Sequence, residues 1–260
     1  MTDYCKTKYP VVLVHGINSR GLVPLMYWGR IPYILRKNGA KVYISRQDAW
    51  GTIENNALQL KEEIEKILLK EKCGKVNIIA HSKGGLDARY LVSSMGYGEK
   101  IASLCTVSTP HHGSKTLKSW YKHEKIMKFL AFWMDGVWHL LRDENPDSFM
   151  ALKQMISDNM KEFNSKNADA DNVYYQSWGT WAKHFGSNFT MMIANLLFLK
   201  HDGINDGLVS HKSAVWTNYR GTLVEVNHQM ATDRHKKSTK YFKPVHFYCS
   251  VVHELKMKGY

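Results

Sequence analysis

The sequence predicts an α/β domain with a mostly parallel central sheet flanked by helices, on three observations. Short β-branched apolar runs recur through the first half of the chain, each bounded by glycine, proline or other turn residues. Between two of them lies a long stretch whose apolar residues share one helical face. The two patterns alternate, as β-α-β units require. The first run is Val11-Val-Leu-Val14, with Tyr9-Pro10 before it and His15-Gly16 after it. Lys41 to Ser45 repeats the pattern beyond the turn dipeptide Asn38-Gly39. Thr52 can cap a helix running to about Lys72, in which Ile53, Ala57, Leu60, Ile64, Ile67 and Leu68 line up on one side. Glu62 and Lys66 add an i,i+4 pair, and Cys73-Gly74 supplies a stop. Lys75 to Ala80 is the next buried strand, followed by a glycine-containing turn and a helix from about Gly85. Leu104 to Ser108 is a further strand, ended by Thr109-Pro110, and Thr222 to Val226 reads as a late one.

At 260 residues, 44% hydrophobic and 23% charged, the chain reads as a single globular domain over 1–260, which excludes disorder and a disulfide-stapled miniprotein. The formal net charge of +13 invites an anionic partner. Its distribution is +7 over 1–110, +1 over 111–199 and +5 over 200–260, which is not one nucleic-acid-binding stripe. No apolar leader stands near Met1, so the expectation is a chain without a signal peptide, either cytoplasmic, exported without a leader, or already trimmed. The longest apolar run, Met191 to Leu199, is too short to span a membrane. Cys5, Cys73, Cys105 and Cys249 are scattered without a CxxC pair, so free thiols are expected and a zinc site is not.

The turn after the strand at 75–80 carries the chemistry. Ala80-His81-Ser82-Lys83-Gly84-Gly85 matches small-x-Ser-x-Gly, with alanine in place of the commoner first glycine. A serine on a sharp strand-to-helix turn has strained backbone angles, and its neighbours two residues away must be small. In return its Oγ stands exposed at the carboxyl edge of the sheet, beside a helix N-terminus whose N–H groups favour an anion. Ser82 is therefore the candidate nucleophile. In α/β-hydrolases a His-Gly-x loop at the end of an early strand lends one backbone N–H to the oxyanion hole, and the residue after the nucleophile lends the other. That assigns the main-chain N–H groups of Ile17 and Lys83.

A serine nucleophile needs a base and a group to orient it, in the chain order Ser, acid, His. His228, just past the late strand, is the favoured base, and Asp206, in an Asp-Gly turn, the favoured acid. From the residues alone His211, His235 or His246 remain open as bases, and Asp202 or Asp233 as acids.

Several segments together resemble the true bacterial lipases of the Pseudomonas, Burkholderia and Proteus group. They are Tyr9 to Gly16, Trp28-Gly-Arg-Ile-Pro32, Gly39 to Tyr43, Lys75 to Gly85 and Val107 to Ser114, then Tyr174 to Gly179 and Asn205-Asp-Gly-Leu-Val209. The resemblance is dense over 9–115 and patchy but ordered over 173–228. It implies an α/β-hydrolase fold and cleavage of carboxylic esters of lipids. By motif position it places the nucleophile at Ser82, the acid at Asp206 and the base at His228. Lipases of this group usually hold a structural calcium through an Asp two residues after the catalytic histidine. Here that position is Met230, and no Asp stands between Trp178 and Lys200, so no calcium and no other cofactor is expected.

Over 116–172 the resemblance fades, and this segment is expected to be a helical lid inserted in the domain. Trp120, Phe129, Phe132, Trp133 and Trp138 are its candidate acyl-binding residues, with Lys115, Lys118, Lys122, Lys125 and Lys128 before and among them. A basic amphipathic helix rich in Trp and Phe suits an anionic lipid interface, and here it would lie over Ser82 as a mobile cap. The alternative is a fixed helical hairpin packed on the sheet.

Overall fold

A computed structural model of the chain describes residues 3–18, 26–182, 189–234, 236 and 238–260. Six strands form one wholly parallel sheet: β1 Val11–Val14, β2 Val42–Ile44, β3 Val76–His81, β4 Ile101–Val107, β5 Tyr174–Trp181 and β6 Tyr219–Val224, in the order β2-β1-β3-β4-β5-β6. This is the α/β-hydrolase arrangement expected from the sequence. Helix α1 (Ile31–Lys37) joins β1 to β2, α2 (Ile53–Glu71) joins β2 to β3, and α3 (Gly84–Val92) follows β3.

The strand runs are continuously apolar because both faces are covered. Val11 and Leu13 point to one side, where Ile31, Leu35, Tyr248, Val251 and Val252 complete a core built on α1 and the last helix. Val12 and Val14 point to the other, against Ala57, Leu60 and Ile64 of α2 and Ala88, Leu91 and Val92 of α3. Period-2 alternation in the strands thus splits one apolar run between two cores. Thr52 caps α2 by accepting a hydrogen bond from Asn55 N at 3.2 Å. The helix stops at Lys72, which itself takes the left-handed conformation with φ 51°, so Gly74 is not the C-cap residue.

The chain reverses direction across the sheet between β1 and β3: β2 lies on one side of β1, and every later strand on the other. Ligand crevices of open parallel sheets form at the carboxyl ends of strands flanking such a switch point. Val14 pairs with Ala80 there, so His15-Gly16 and His81-Ser82 emerge side by side.

Between β4 and β5 stand α4 (Lys115–Trp120), α5 (Glu124–Leu140), α6 (Ser148–Gln154) and α7 (Ser157–Lys166). They are not equivalent. Leu117, Met155, Ile156 and Met160 join Ile53 and Leu86 in a third apolar cluster, so α4, the turn after α6 and α7 are docked on the domain. Helix α5 buries only Ala131, while Phe129, Phe132, Trp133 and Leu140 are 63%, 71%, 62% and 83% exposed. The flanks of the insertion are thus packed on Ile53 of α2 and Leu86 of α3, whereas α5 stands out from them. Helices α8 (Phe189–Asp202) and α9 (His211–Ala214) precede β6, and α10 (Pro244–Met257) closes the chain. Among the described residues no helix is long and apolar enough to cross a membrane. The four cysteines are free.

Candidate active site

Ser82 sits on the turn from β3 into α3 with φ 56°, a left-handed conformation that costs a non-glycine residue roughly 1–3 kcal/mol. Close packing holds it there. A Cβ on Gly84 would lie 2.2 Å from the carbonyl oxygen of His15, and one on Gly16 would lie 2.6 Å from Ser82 Cβ. Only glycine lets the turn and the β1 loop approach this closely. Ser82 N donates to Val107 O at 3.0 Å, and Thr109 Oγ1 donates to Ser82 O at 2.9 Å, which tie the turn to β4 and its following loop. Gly84→Ala is expected to destabilise the protein by about 2–3 kcal/mol, because the new methyl meets backbone that cannot rotate aside. For a chain of this size that lowers Tm by roughly 5–10 °C, measurable by thermal denaturation; an unchanged Tm would show that the turn can relax.

The structure brings Ser82, His228 and Asp206 into one hydrogen-bonded chain. Ser82 Oγ and His228 Nε2 are 2.9 Å apart, and His228 Nδ1 lies 2.8 Å from Asp206 Oδ2. Two loops carry the partners. His228 follows β6, and Asn227 Oδ1 accepts from Gln229 N and Met230 N to form the turn that presents it. Asp206 follows α8, and its Oδ1 accepts from Leu208 N at 3.0 Å and Val209 N at 2.8 Å. His228 N donates to Asp206 O at 2.9 Å, locking the loops together.

Asp206 is fully buried, which by itself would raise its pKa. Burial is the largest single influence, but the charge on His228 together with hydrogen bonds from His228, Ser108 and Thr180 outweighs it, and the carboxyl is held down to about 2. Ser108 Oγ donates to Asp206 Oδ2 and also lies 3.3 Å from His228 Nδ1, while Thr180 Oγ1 donates to the same carboxylate oxygen at 2.5 Å. Neither hydroxyl was singled out by sequence reasoning. Both stand at strand ends, Ser108 after β4 and Thr180 within β5, and only the sheet order places them beside Asp206.

A second pair missed from sequence lies on the other side of Ser82. The Tyr27 hydroxyl accepts from Gly16 N at 3.0 Å and is 2.6 Å from His81 Nδ1. The His81 ring lies 4.5 Å from that of His228. Burial, with the nearby His228 charge adding to it, pushes the His81 pKa well down, so His81 is neutral packing for the base. The motif residue Trp28, which adjoins Tyr27, was the one signal that pointed there.

Among the described residues, neither Ile17 N nor Lys83 N is spent in a hydrogen bond. Both residues flank Ser82, so the amides named from the motifs are free to meet an oxyanion. The Lys83 ammonium is turned away and buried, 2.7 Å from Asp87 Oδ1, and Asn56 Nδ2 donates to Asp87 Oδ2. Burial raises the Asp87 pKa to about 6, with Lys83 and Asn56 opposing it. A cavity of about 40 Å³ opens beside Ser82, lined by Ile17, Asn18, Tyr27, Leu208, Gln229 and Arg234 among others.

The other candidates fall elsewhere. Asp202 accepts from Ser114 Oγ, Lys115 N and Thr116 N, pinning the start of the insertion. Asp233 is buried in a bidentate pair with Arg30, Nη2 to Oδ1 at 2.7 Å and Nε to Oδ2 at 2.9 Å. His211 packs edge-on to Tyr219, His246 lies on α10, and His235 lies outside the described residues. The residues near His228 do not fit a calcium ion: Met230 has only a thioether, and Asp233 is neutralised by Arg30. Among the described residues no three His, Cys, Asp or Glu side chains converge on a metal position.

The lid candidates differ from expectation. None of Trp120, Phe129, Phe132, Trp133 and Trp138 lines the cavity at Ser82. Trp120 instead packs edge-on against Phe198 of α8, and Phe129 and Phe132 flank Trp133 on exposed α5. Ile126, Phe129, Leu130, Trp133, Val137 and Leu140 share one face of α5, and all six are exposed, so this apolar face is left uncovered among the described residues.

Comparison with known proteins agrees with this geometry. The chain is 28% identical to triacylglycerol lipase 2 of Saccharomyces cerevisiae over 258 residues, covering 92% of this chain and 76% of that protein. It is 36% identical to a triacylglycerol lipase of Vibrio cholerae over 112 residues, which are 43% of this chain and 35% of that one. In fold it is similar to the mature Bacillus licheniformis lipase BlEst2, with a TM-score of 0.67 over 88% of each chain at 20% identity. The family model described as palmitoyl protein thioesterase matches residues 10–178, a stretch that contains β1, the Ser82 turn and β4. An ester hydrolase of the α/β-hydrolase fold, the chain belongs to the palmitoyl protein thioesterase family.

Proposed function

We propose that the protein is a lipase of the Pseudomonas–Burkholderia–Proteus type that cleaves carboxylic esters of lipids through an acyl-enzyme on Ser82. The observation that carries this reading is the continuous path from Ser82 Oγ through His228 to Asp206, at 2.9 Å and 2.8 Å. His228 Nε2 takes the Ser82 proton as Oγ attacks the ester carbonyl, and the Ile17 and Lys83 amides receive the developing oxyanion. Collapse expels the alcohol, which leaves with the proton from His228. Water then attacks the acyl-serine, giving its proton to the same nitrogen, and as the bond to Ser82 Oγ breaks His228 returns that proton to the serine and the carboxylic acid departs. Asp206 keeps Nδ1 protonated and so leaves Nε2 free to accept.

The names of the relatives support an ester lipid as substrate, and the dense motif match over 9–115 supports the bacterial lipase type. No calcium takes part in this reading. The family model's description favours a second reading, in which the acyl group arrives as a thioester. The same residues would serve it, with a thiolate leaving instead of an alcohol. Matched acyl chains decide between them: nitrophenyl palmitate and tripalmitin against palmitoyl-coenzyme A. A lipase turns over the oxygen esters at least tenfold faster in kcat/KM; the reverse order would make the protein a thioesterase.

Helix α5 is the proposed contact with an anionic lipid interface, because it exposes Phe132 and Trp133, with Lys125 on it and Lys122 just before it having no acidic partner among the described residues. Trp133→Asp is expected to lower activity on emulsified long-chain esters about tenfold and to leave soluble butyrate esters within about twofold, as a nitrophenyl ester series would read. Equal loss at both chain lengths would make α5 a structural element.

A further inference from the structure

A second cavity is larger than the one beside Ser82. A cavity of about 670 Å³ lies between the start of the insertion (112–115), the end of α8 (199–204) and the segment just past Asp206 (210–213). That volume is in the range of small-molecule sites, about 300–1,000 Å³. Its lining is cationic. Lys115, Lys200 and Lys212 all contribute, and none has an acidic partner within salt-bridge distance among the described residues. His112, His201 and His211 stand among them. Asp202 is the one carboxylate in the lining, and it is already committed to Ser114 Oγ and the amides of Lys115 and Thr116. Among the described residues Leu199 and Ile204 are the large apolar side chains of the lining, too few for an acyl chain.

We propose that this cavity binds a phosphate-bearing anion, either a phosphorylated lipid headgroup or a free phosphate ester. Three ammonium groups without an acidic partner among the described residues supply charge-assisted donors around one cavity, the imidazoles of His201 and His211 add ring N–H donors, and phosphate oxygens are the acceptors that such a set favours. The site is separate from Ser82 and does not depend on which ester the protein cleaves. It would act on the hydrolase centre by position: its walls include Ile204 and Ser210, which bracket the 205–209 turn that holds Asp206, and Asp202, which pins the first helix of the insertion. A bound anion would hold these three segments together and stabilise the acid loop.

Calorimetric titration of the full chain with inorganic pyrophosphate at constant ionic strength tests the site. Co-flotation with phosphatidylcholine vesicles containing phosphatidic acid tests the lipid source, with oleate-containing vesicles of equal surface charge as the control. Lys200→Gln/Lys212→Gln and, separately, Lys115→Gln/Lys200→Gln remove the charge at exposed positions outside the Ser82 site. Saturable pyrophosphate binding, weakened at least tenfold by both variants, supports the proposal with a soluble ligand. Preference for phosphatidic acid over oleate vesicles, lost in both variants, supports it with a headgroup. Binding unaffected by the variants, or no preference for phosphate over chloride and oleate at equal charge, overturns it.

Discussion

Ser82→Ala is expected to lower kcat/KM toward a short nitrophenyl ester by about a millionfold and to abolish labelling by a fluorophosphonate probe. The size follows from what the hydroxyl does. Ser82 Oγ is the group 2.9 Å from His228 Nε2, and without it the histidine has no proton to take and the carbonyl no nucleophile to meet. The oxyanion amides and the substrate contacts remain, so a residual acceleration over water of about 10³–10⁴ is expected. The fold should be undisturbed, because alanine is smaller than serine and its Cβ keeps the packing against Gly16. Labelling that persists at this residue, or activity within a hundredfold of the parent, would remove Ser82 from the mechanism.

Asp206→Asn is expected to lower kcat by about 10⁴ with little change in KM. The carboxylate is acceptor-only, and all its hydrogen bonds are received: Oδ1 from two amides, Oδ2 from His228, Ser108 and Thr180. An asparagine NH2 cannot face the Leu208 and Val209 amides, so it must take the place of Oδ2. There it meets His228 Nδ1, which can accept from it only in the other tautomer. Nε2 then carries the proton and can no longer receive one from Ser82. The Ser108 and Thr180 hydroxyls can rotate to accept, so the fold tolerates the change and the loss falls on catalysis. The same substitution removes a pH dependence. With its pKa held down to about 2 against an ordinary 3.8, Asp206 contributes stability that is present above about pH 4 and lost as pH falls through 2. That contribution is about 2 kcal/mol, so the parent should lose more stability than the variant between pH 4 and 2 in urea titrations. Parallel curves would show that the carboxyl is not perturbed.

The parts of this protein legible in the sequence were those that local chemistry specifies. Buried parallel strands announce themselves as β-branched runs, and a helix such as Ile53–Glu71 by one apolar face and a capping threonine. The Ser82 turn is legible because its geometry demands small residues at fixed offsets, and Gly84 meets that demand against the His15 carbonyl. The acid and base were harder. Several histidines and aspartates stand in similar loops; the place after a late strand and the Asp-Gly turn favoured His228 and Asp206, and the resemblance to known lipases set them above the rest. Asp202 and Asp233 look the same in sequence, yet one caps a helix and the other neutralises Arg30.

By itself, then, the sequence determined the α/β sheet and the nucleophile turn, because each depends on residues within a few positions of one another. Tertiary structure decided the rest. Ser108 reaches Asp206 across 98 positions and His228 across 120, and Tyr27 reaches His81 across 54; no spacing rule encodes such meetings. It also decided the fate of the aromatic insertion, where composition counts apolar residues but only packing says which are covered. Leu117 and Met160 found the domain core, whereas Phe129, Leu130 and Trp133 stayed exposed, because they share the one face of their helix that no other described element covers.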